Sequence, residues 1–258
     1  MTRPSRIAWY AFAVLTTVFL LSPLVLVVLF SFGRNEHSTF PMGGLTVSWY
    51  AQLLASKDFW TAARNTAIVG ASVAGGSAAV GTLAALAFAR LRERVSGPAL
   101  AALALPLMLP PLVLGLALLS AYSALGVSLS LATVIPAQIV FIQPFVLLVI
   151  YARMASFDHA VIDAARDLGA PPLTIFFTVT LPIIRPTVIG AALIAMALSL
   201  DEFIITYYTI GGGLTLPTLV WAMLRTSLDP DINALATLIL LVTLSSTALA
   251  LRLLRYRG

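Results

Sequence analysis

The stretch IAWYAFAVLTTVFLLSPLVLVVLFSF, Ile7 to Phe32, runs for 26 residues without a charged side chain. At about 1.5 Å of rise per residue, a helix of that length exceeds the roughly 30 Å of hydrocarbon in a bilayer. Arg3 and Arg6 precede it, as basic residues precede a secretory signal. The apolar core of a signal is only about 7–15 residues, however, and Gly33–Asn35 offers no small-x-small cleavage site. The run reads as a retained first transmembrane helix.

Further apolar runs follow near Thr66–Ala89, Ala99–Tyr122, Leu131–Ala152, Thr187–Thr209 and Ile232–Leu254, giving six spans in one membrane domain over residues 1–258. Composition agrees, since 60% of the chain is hydrophobic and only 10% is charged. That balance suits lipid rather than water as solvent. The expected fold class is an all-α integral membrane protein. In a six-span model Arg3, Arg6, Arg90, Arg92, Arg94, Arg153, Arg166, Arg185, Arg252, Arg255 and Arg257 share one side, against Arg34, Lys57, Arg64 and Arg225 on the other. Cytoplasmic loops carry the basic excess, so both termini, the Arg90–Gly97 loop and the long 153–186 loop should be cytoplasmic. The net charge of +5 then needs no nucleic-acid partner.

Pro23, Pro106, Pro110, Pro111, Pro136 and Pro144 interrupt the spans and predict kinks. Gly70, Gly75, Gly76 and Gly81 in the second span predict close helix packing. Several chemistries have no residues to carry them. The chain has no cysteine, hence no disulfide or thiolate site. The string from Gly76 to Thr82 lacks the lysine of a phosphate-binding loop. His37 and His159 fall on opposite sides of the membrane and cannot share a metal. No catalytic residue, metal site or cofactor is expected within the chain.

The loop between the fourth and fifth spans is the most patterned: DHAVIDAARDLG from Asp158 to Gly169, then APPLTIFFTVTLP from Ala170 to Pro182. Asp158 can cap a short helix, Ala164, Ala165 and Leu168 favour it, and Gly169, Pro171 and Pro172 stop it. Ile162, Ala165 and Gly169 lie on one side. Such an element can dock a cytoplasmic partner or rest on lipid.

This loop closely resembles the signature of bacterial ABC-importer permeases, the binding-protein-dependent or type I importer family. The family pattern is Glu-Ala-Ala, three residues, Gly, nine residues, Ile, one residue, Leu-Pro. Asp163, Ala164, Ala165, Gly169, Val179, Leu181 and Pro182 stand in register, with Asp163 in place of Glu and Val179 in place of Ile. The resemblance implies the type I importer permease fold and a coupling helix seated in a groove of an ATPase subunit. It implies an assembly of a second permease subunit, two copies of a cytoplasmic ATP-binding subunit that hold ATP and Mg, and an extracytoplasmic solute-binding protein. The location implied is a bacterial cytoplasmic membrane.

A second resemblance spans the fifth to the sixth helix: LSLDEFII at Leu198–Ile205, the Gly211–Gly213 turn, Leu216-Pro217, and DPDINALAT at Asp229–Thr237. It is similar to the second permease of spermidine/putrescine importers. Branches carrying phosphonates or ferric ions share parts of the pattern. From the residues themselves, Asp201 would lie about 21 Å along a helix begun at Thr187. A carboxylate at that depth must face a wet cavity or a partner. Ser199, Glu202, Thr206 and Thr209 form one polar stripe, whereas Asp201 points about 100° away, toward Tyr208. Ser199, Asp201, Glu202, Thr206 and Tyr208 are therefore the candidate substrate-pathway residues, with helix-to-helix pairing of the acids as the competing role. Tyr207 could also face an ammonium, or sit in an interfacial belt. Arg225, Asp229 and Asp231 could dock the binding protein. A gradient-driven carrier using Asp201 and Glu202 as an ion site, or a scaffold that moves nothing, are the other classes the sequence permits.

Overall fold

The computed structural model describes residues 3–35, 39–226 and 230–255; His37, Asp229 and Arg257 lie outside these described residues. Helices account for the fold, and among the described residues the only extended pairing is an isolated bridge between Gly33 and Leu45. The order is α1 (Arg3–Phe30), α2 (Ser48–Ala55), α3 (Lys57–Phe88), α4 (Glu93–Leu103), α5 (Leu105–Met108), α6 (Pro111–Ala124) and α7 (Leu131–Ala155). Then come α8 (Ala160–Asp167), α9 (Pro172–Ile175), a π turn (Phe176–Thr180), α10 (Leu181–Asp201), α11 (Ile204–Thr209), α12 (Leu216–Thr226) and α13 (Asp231–Arg255). By length and composition, four helical stretches among the described residues can cross a membrane: Trp9–Phe30, Lys57–Phe88, Leu131–Ala155 and Pro172–Asp201.

The sequence reading of the third span requires correction. Ala99–Tyr122 is not one helix but the end of α4, the single turn of α5, and α6. A residue before proline is pushed out of the helical region. Leu109 before Pro110 adopts ψ 135°, and Pro110 before Pro111 also has ψ 135°, so two consecutive residues extend the chain before α6 starts. The fifth span differs as well. Its helical run begins at Pro172, not Thr187, so residues 172–186 of the expected 153–186 loop belong to that run. Pro182 and Pro186 lie inside that run. Pro182 lacks an N–H, and the π turn immediately before it, in which Leu181 N bonds Phe176 O, absorbs the altered hydrogen-bond register. The run then ends at Asp201, short of the expected Thr209.

Two compact units emerge from the backbone contacts. One gathers α1, α2 and the stretch Leu219–Leu244. Within it, Trp49 Nε1 donates to Gly33 O at 2.7 Å, and the hydroxyls of Ser31 and Tyr50 meet at 2.6 Å. Its α1 is apolar and mostly exposed over Trp9–Phe30, with no buried residue, a surface fit for lipid or another chain rather than for water.

The other unit, Thr61–Thr218, has its core around α7. Val134, Ile142, Val146, Ile150 and Met154 of α7 pack with Val69, Val73 and Ala85 of α3 and with Ile184, Ala191 and Ala195 of α10. α3 can lie this close because of its small residues. A Cβ at Gly76 would sit 2.9 Å from Ile139 Cδ1, and one at Gly81 would sit 2.8 Å from Val146 Cγ1. Gly75, by contrast, has nothing within 4 Å. The segment after α11 is tied to the start of α3: Asn65 Nδ2 donates to Leu214 O at 2.7 Å and Leu216 N donates to Thr66 Oγ1 at 2.8 Å.

Candidate functional site

The first region of interest is the loop that holds α8. The cap position of α8 is His159, not the expected Asp158, and the His159 side chain makes no capping bond; Asp158, one residue earlier, still serves the first turn, its Oδ1 accepting from Ala160 N at 3.0 Å. At the other end Gly169 takes φ +79°, its N–H donates to Arg166 O at 2.8 Å, and Ala170 N donates to Ala165 O at 3.1 Å. This pair of bonds is the Schellman arrangement, and only a residue without Cβ adopts its left-handed position at no steric cost. Both ends of α8 are thus closed by its own sequence.

Ile162 is buried and Ala165 is half-buried against the core, so one face of α8 is anchored to the spans. The opposite face, with Asp163, Ala164, Asp167 and Leu168, is exposed; Leu168 is 89% exposed. Asp163 pairs with Arg166 at 2.9 Å on that open face. Of the remaining motif positions, Val179 and Leu181 pack against the core, whereas Pro182 is exposed. The motif residues therefore divide into an inward set that anchors the element and an outward set that presents a surface.

The second region is the junction between α10 and α11. Glu202 has ψ 107°, and helical structure resumes only at Ile204. The Glu202 carboxylate turns back to the new helix: Oε1 accepts from Ile205 N at 3.0 Å, and Oε2 accepts from Thr206 N at 3.0 Å. Thr206 Oγ1 bonds Glu202 O at 2.9 Å and approaches Oε2 at 3.2 Å. Gln138 of α7 reaches across the break, donating from Nε2 to Thr206 Oγ1 at 2.7 Å and accepting at Oε1 from the Ser199 hydroxyl. Glu202 is 9% exposed and Gln138 is 1% exposed, so this polar junction is shielded from solvent.

A continuation lies beside it. Thr133 Oγ1 donates to Thr209 O at 2.7 Å, and Tyr122 OH donates to Thr133 O at 2.9 Å. α11 also approaches α6 closely, for a Cβ at Gly115 would stand 3.1 Å from Tyr208 Cδ2 and 3.5 Å from Ile205 Cα.

Of the five candidate pathway residues, Ser199, Glu202 and Thr206 come together in the buried junction. Asp201 does not join them; it is exposed and has no ion-pair partner among the described residues. Tyr208 is half-buried and meets Tyr207 edge-on at 5.4 Å, with Tyr207 itself exposed. Arg225 lies over the Trp221 ring at 5.4 Å from its centroid. Among the described residues no group of three or more His, Asp and Glu could hold a metal ion. Gln138 is the partner that sequence reading missed. Two amides, Gln138 and Gln143, in an otherwise apolar span were the available signal, because such groups must find partners inside the protein.

Residues 77–256 match the family model described as "Binding-protein-dependent transport system inner membrane component". The chain belongs to this family. It is a permease of an ABC importer, and the matched stretch contains both the α8 loop and the α10–α11 junction. The permease is 36% identical over 230 residues to the putrescine transport system permease protein PotI of Escherichia coli (strain K12), covering 86% of this chain and 82% of that protein. It is 28% identical over 241 residues to the spermidine/putrescine transport system permease protein PotC of Haemophilus influenzae, covering 93% of each.

Solved structures agree on the fold. A chain of a bacterial alginate ABC transporter, in complex with an alginate pentasaccharide-bound periplasmic protein, aligns with TM-score 0.71 at 17% identity, over 96% of this permease and 93% of that chain. A chain of the MetNI methionine ABC transporter in an inward-facing conformation aligns with TM-score 0.59 at 17% identity, over 76% and 96% respectively.

Proposed function

We propose that this permease subunit forms half of a polyamine translocation pathway, with putrescine and spermidine as its substrates. The observation that carries the reading is the 36% identity to a putrescine permease over most of both chains. Exposed Asp201 supports it, because an unpaired carboxylate within a span is costly unless it meets water or a cation. Tyr207, six residues further on in α11 and also exposed, offers an aromatic face to an ammonium group.

In this reading the chain is a single permease domain with six spans and both termini in the cytoplasm of a bacterial cell. The third span is the broken path through α4, α5 and α6, and the fifth is the Pro172–Asp201 run continued by α11. The second permease subunit supplies the other half of the pathway. Two ATP-binding subunits hold ATP and Mg and perform the hydrolysis, and a solute-binding protein delivers substrate from outside. This chain itself binds no cofactor.

α8 acts as the coupling helix. Its exposed face, including Asp163, Ala164 and Leu168, seats on the ATPase, while Ile162 and Ala165 hold it to the spans. Closed at both ends, the helix moves as a rigid body, so a displacement imposed on its outer face reaches α7 and α10 instead of being lost in fraying. Closure of the ATPase pair would then exchange inward-facing and outward-facing cavities.

The test is uptake of labelled putrescine by the purified complete importer in liposomes, with spermidine, a phosphonate and ferric ion as competitors. Inhibition by spermidine alone supports the polyamine reading. Inhibition by the phosphonate or by ferric ion, with no putrescine uptake, would assign this permease to another substrate branch.

A further inference from the structure

The two neighbouring acids at the end of α10 meet different surroundings. The Asp201 carboxyl is exposed, whereas the Glu202 carboxylate is buried and already accepts from Ile205 N, Thr206 N and the Thr206 hydroxyl. A carboxylate has acceptor sites only, and here both of its oxygens are occupied by donors of the chain itself. Few of the roughly four lone-pair sites stay open on a side chain that is only 9% exposed, and turning the carboxylate toward a substrate ammonium would leave two backbone N–H groups unpaired in an apolar interior. The chain cannot straighten here without losing the same bonds, because Glu202 is extended and α11 begins two residues later.

Gln138 adds a second tie. Its amide spans the break from outside, holding the Ser199 hydroxyl at the end of α10 with its oxygen and Thr206 in the first turn of α11 with its nitrogen. Both ends of the amide are used, and the surrounding side chains Ile205, Ala137 and Leu114 are buried and apolar. We propose that Gln138 and Glu202 are positioning residues, forming a polar brace that holds the bend between α10 and α11, so that Glu202 shapes the pathway while Asp201 alone of the pair meets the cation.

This inference rests on the polyamine reading for the role of Asp201, but the brace itself can be tested separately. The complete importer in liposomes is assayed for maximal uptake rates of labelled putrescine and labelled spermidine, and for ATP hydrolysis stimulated by the solute-binding protein. The variants are Gln138→Leu, Glu202→Gln, their double, and Asp201→Asn, each checked for assembly by co-purification of the other subunits. The brace predicts that Gln138→Leu and Glu202→Gln each lower both uptake rates about tenfold by the same factor, leaving the spermidine-to-putrescine ratio within twofold of wild type. It also predicts that the double variant is no worse than the weaker single, as for two members of one unit. Asp201→Asn should change the ratio.

A changed ratio in Glu202→Gln, with Gln138→Leu unaffected, would overturn the proposal and make Glu202 a cation ligand. Wild-type uptake rates in Gln138→Leu would overturn it too. Should the wild-type importer carry neither amine, the polyamine reading fails, and the brace is then judged on stimulated ATP hydrolysis: equal, non-additive losses support it, and unchanged hydrolysis in both single variants sinks it. If a single variant does not assemble, the milder Ser199→Ala and Thr206→Ser, each removing or adjusting one bond of the brace, are read in the same way.

Discussion

Gly211 and Gly75 show how differently one residue type is used along this chain. Gly211 takes φ +66°, and a Cβ there would stand 2.8 Å from Leu129 O, a backbone atom that cannot rotate away. Gly75 sits inside α3 with nothing within 4 Å of an added Cβ. The left-handed conformation costs an L-residue roughly 1–2 kcal/mol before any clash is counted. Exchanging glycine for alanine inside an exposed helix instead favours the helix by up to about 1 kcal/mol. Gly211→Ala should therefore lower the apparent melting temperature of the detergent-purified importer by several degrees, and Gly75→Ala should leave it unchanged or raise it. Equal melting temperatures would show that the turn after α11 is softer than its geometry indicates.

At this scale much was legible in the sequence. The spacing of Ser199, Glu202, Thr206 and Thr209 placed them on one face, and all four are buried. The spacing also set Asp201 apart from them, and it is exposed. What the spacing could not convey was the break at Glu202, since nothing local such as proline or glycine marks it. The break is compensated by Gln138, 64 residues earlier in the chain, and only the tertiary arrangement brings that amide to the junction.

Among the elements, α8 was the easiest to read. Asp158, the two alanines and Gly169 each specify a local conformation, so a short helix with defined ends follows without tertiary information. The third and fifth spans were harder. Prolines 106, 110 and 111 announced a disturbance but not its form, and the outcome is an extended two-residue interruption rather than a kink. The fifth span was expected to begin near Thr187, but a π turn upstream of Pro182 allows the helix to begin at Pro172.

The surface of α8 yields a prediction that separates stability from coupling. The Asp163–Arg166 pair is solvent-exposed at 2.9 Å, with the two residues three apart. An exposed helix pair of this kind contributes about 0.3–0.5 kcal/mol. Asp163→Asn should therefore leave melting within experimental error while reducing ATP-driven uptake severalfold, because it alters the face proposed to seat on the ATPase. A large loss of melting temperature would mean that Asp163 holds the loop together instead. Ile162→Ala acts from the other side. Truncating a buried isoleucine costs about 2–5 kcal/mol in a well-packed core, so this variant should lose stability and coupling together.

For the whole molecule, orientation is the property on which the rest depends, and the chain is well suited to measuring it. It contains no cysteine, so a single introduced thiol is the only one present. Leu168→Cys replaces a residue that is 89% exposed on α8, and Trp60→Cys replaces an exposed residue at the start of α3. In right-side-out vesicles a membrane-impermeant maleimide should label Trp60→Cys and spare Leu168→Cys, and in inverted vesicles the pattern should reverse. Labelling of both positions from the same side would contradict the arrangement of termini and loops read from the arginine distribution.

The permease family itself rests on the match over residues 77–256, and ATP hydrolysis by partner subunits is the proposed energy source. The most direct test of the account is labelled putrescine uptake by liposomes containing the complete importer, with ATP enclosed or omitted and with ionophores added to abolish every ion gradient. The account predicts uptake that requires enclosed ATP and is unchanged by the ionophores. Uptake that persists without ATP and collapses with the gradients would contradict it, and would make the acids of the fifth span the ion site of a gradient-driven carrier.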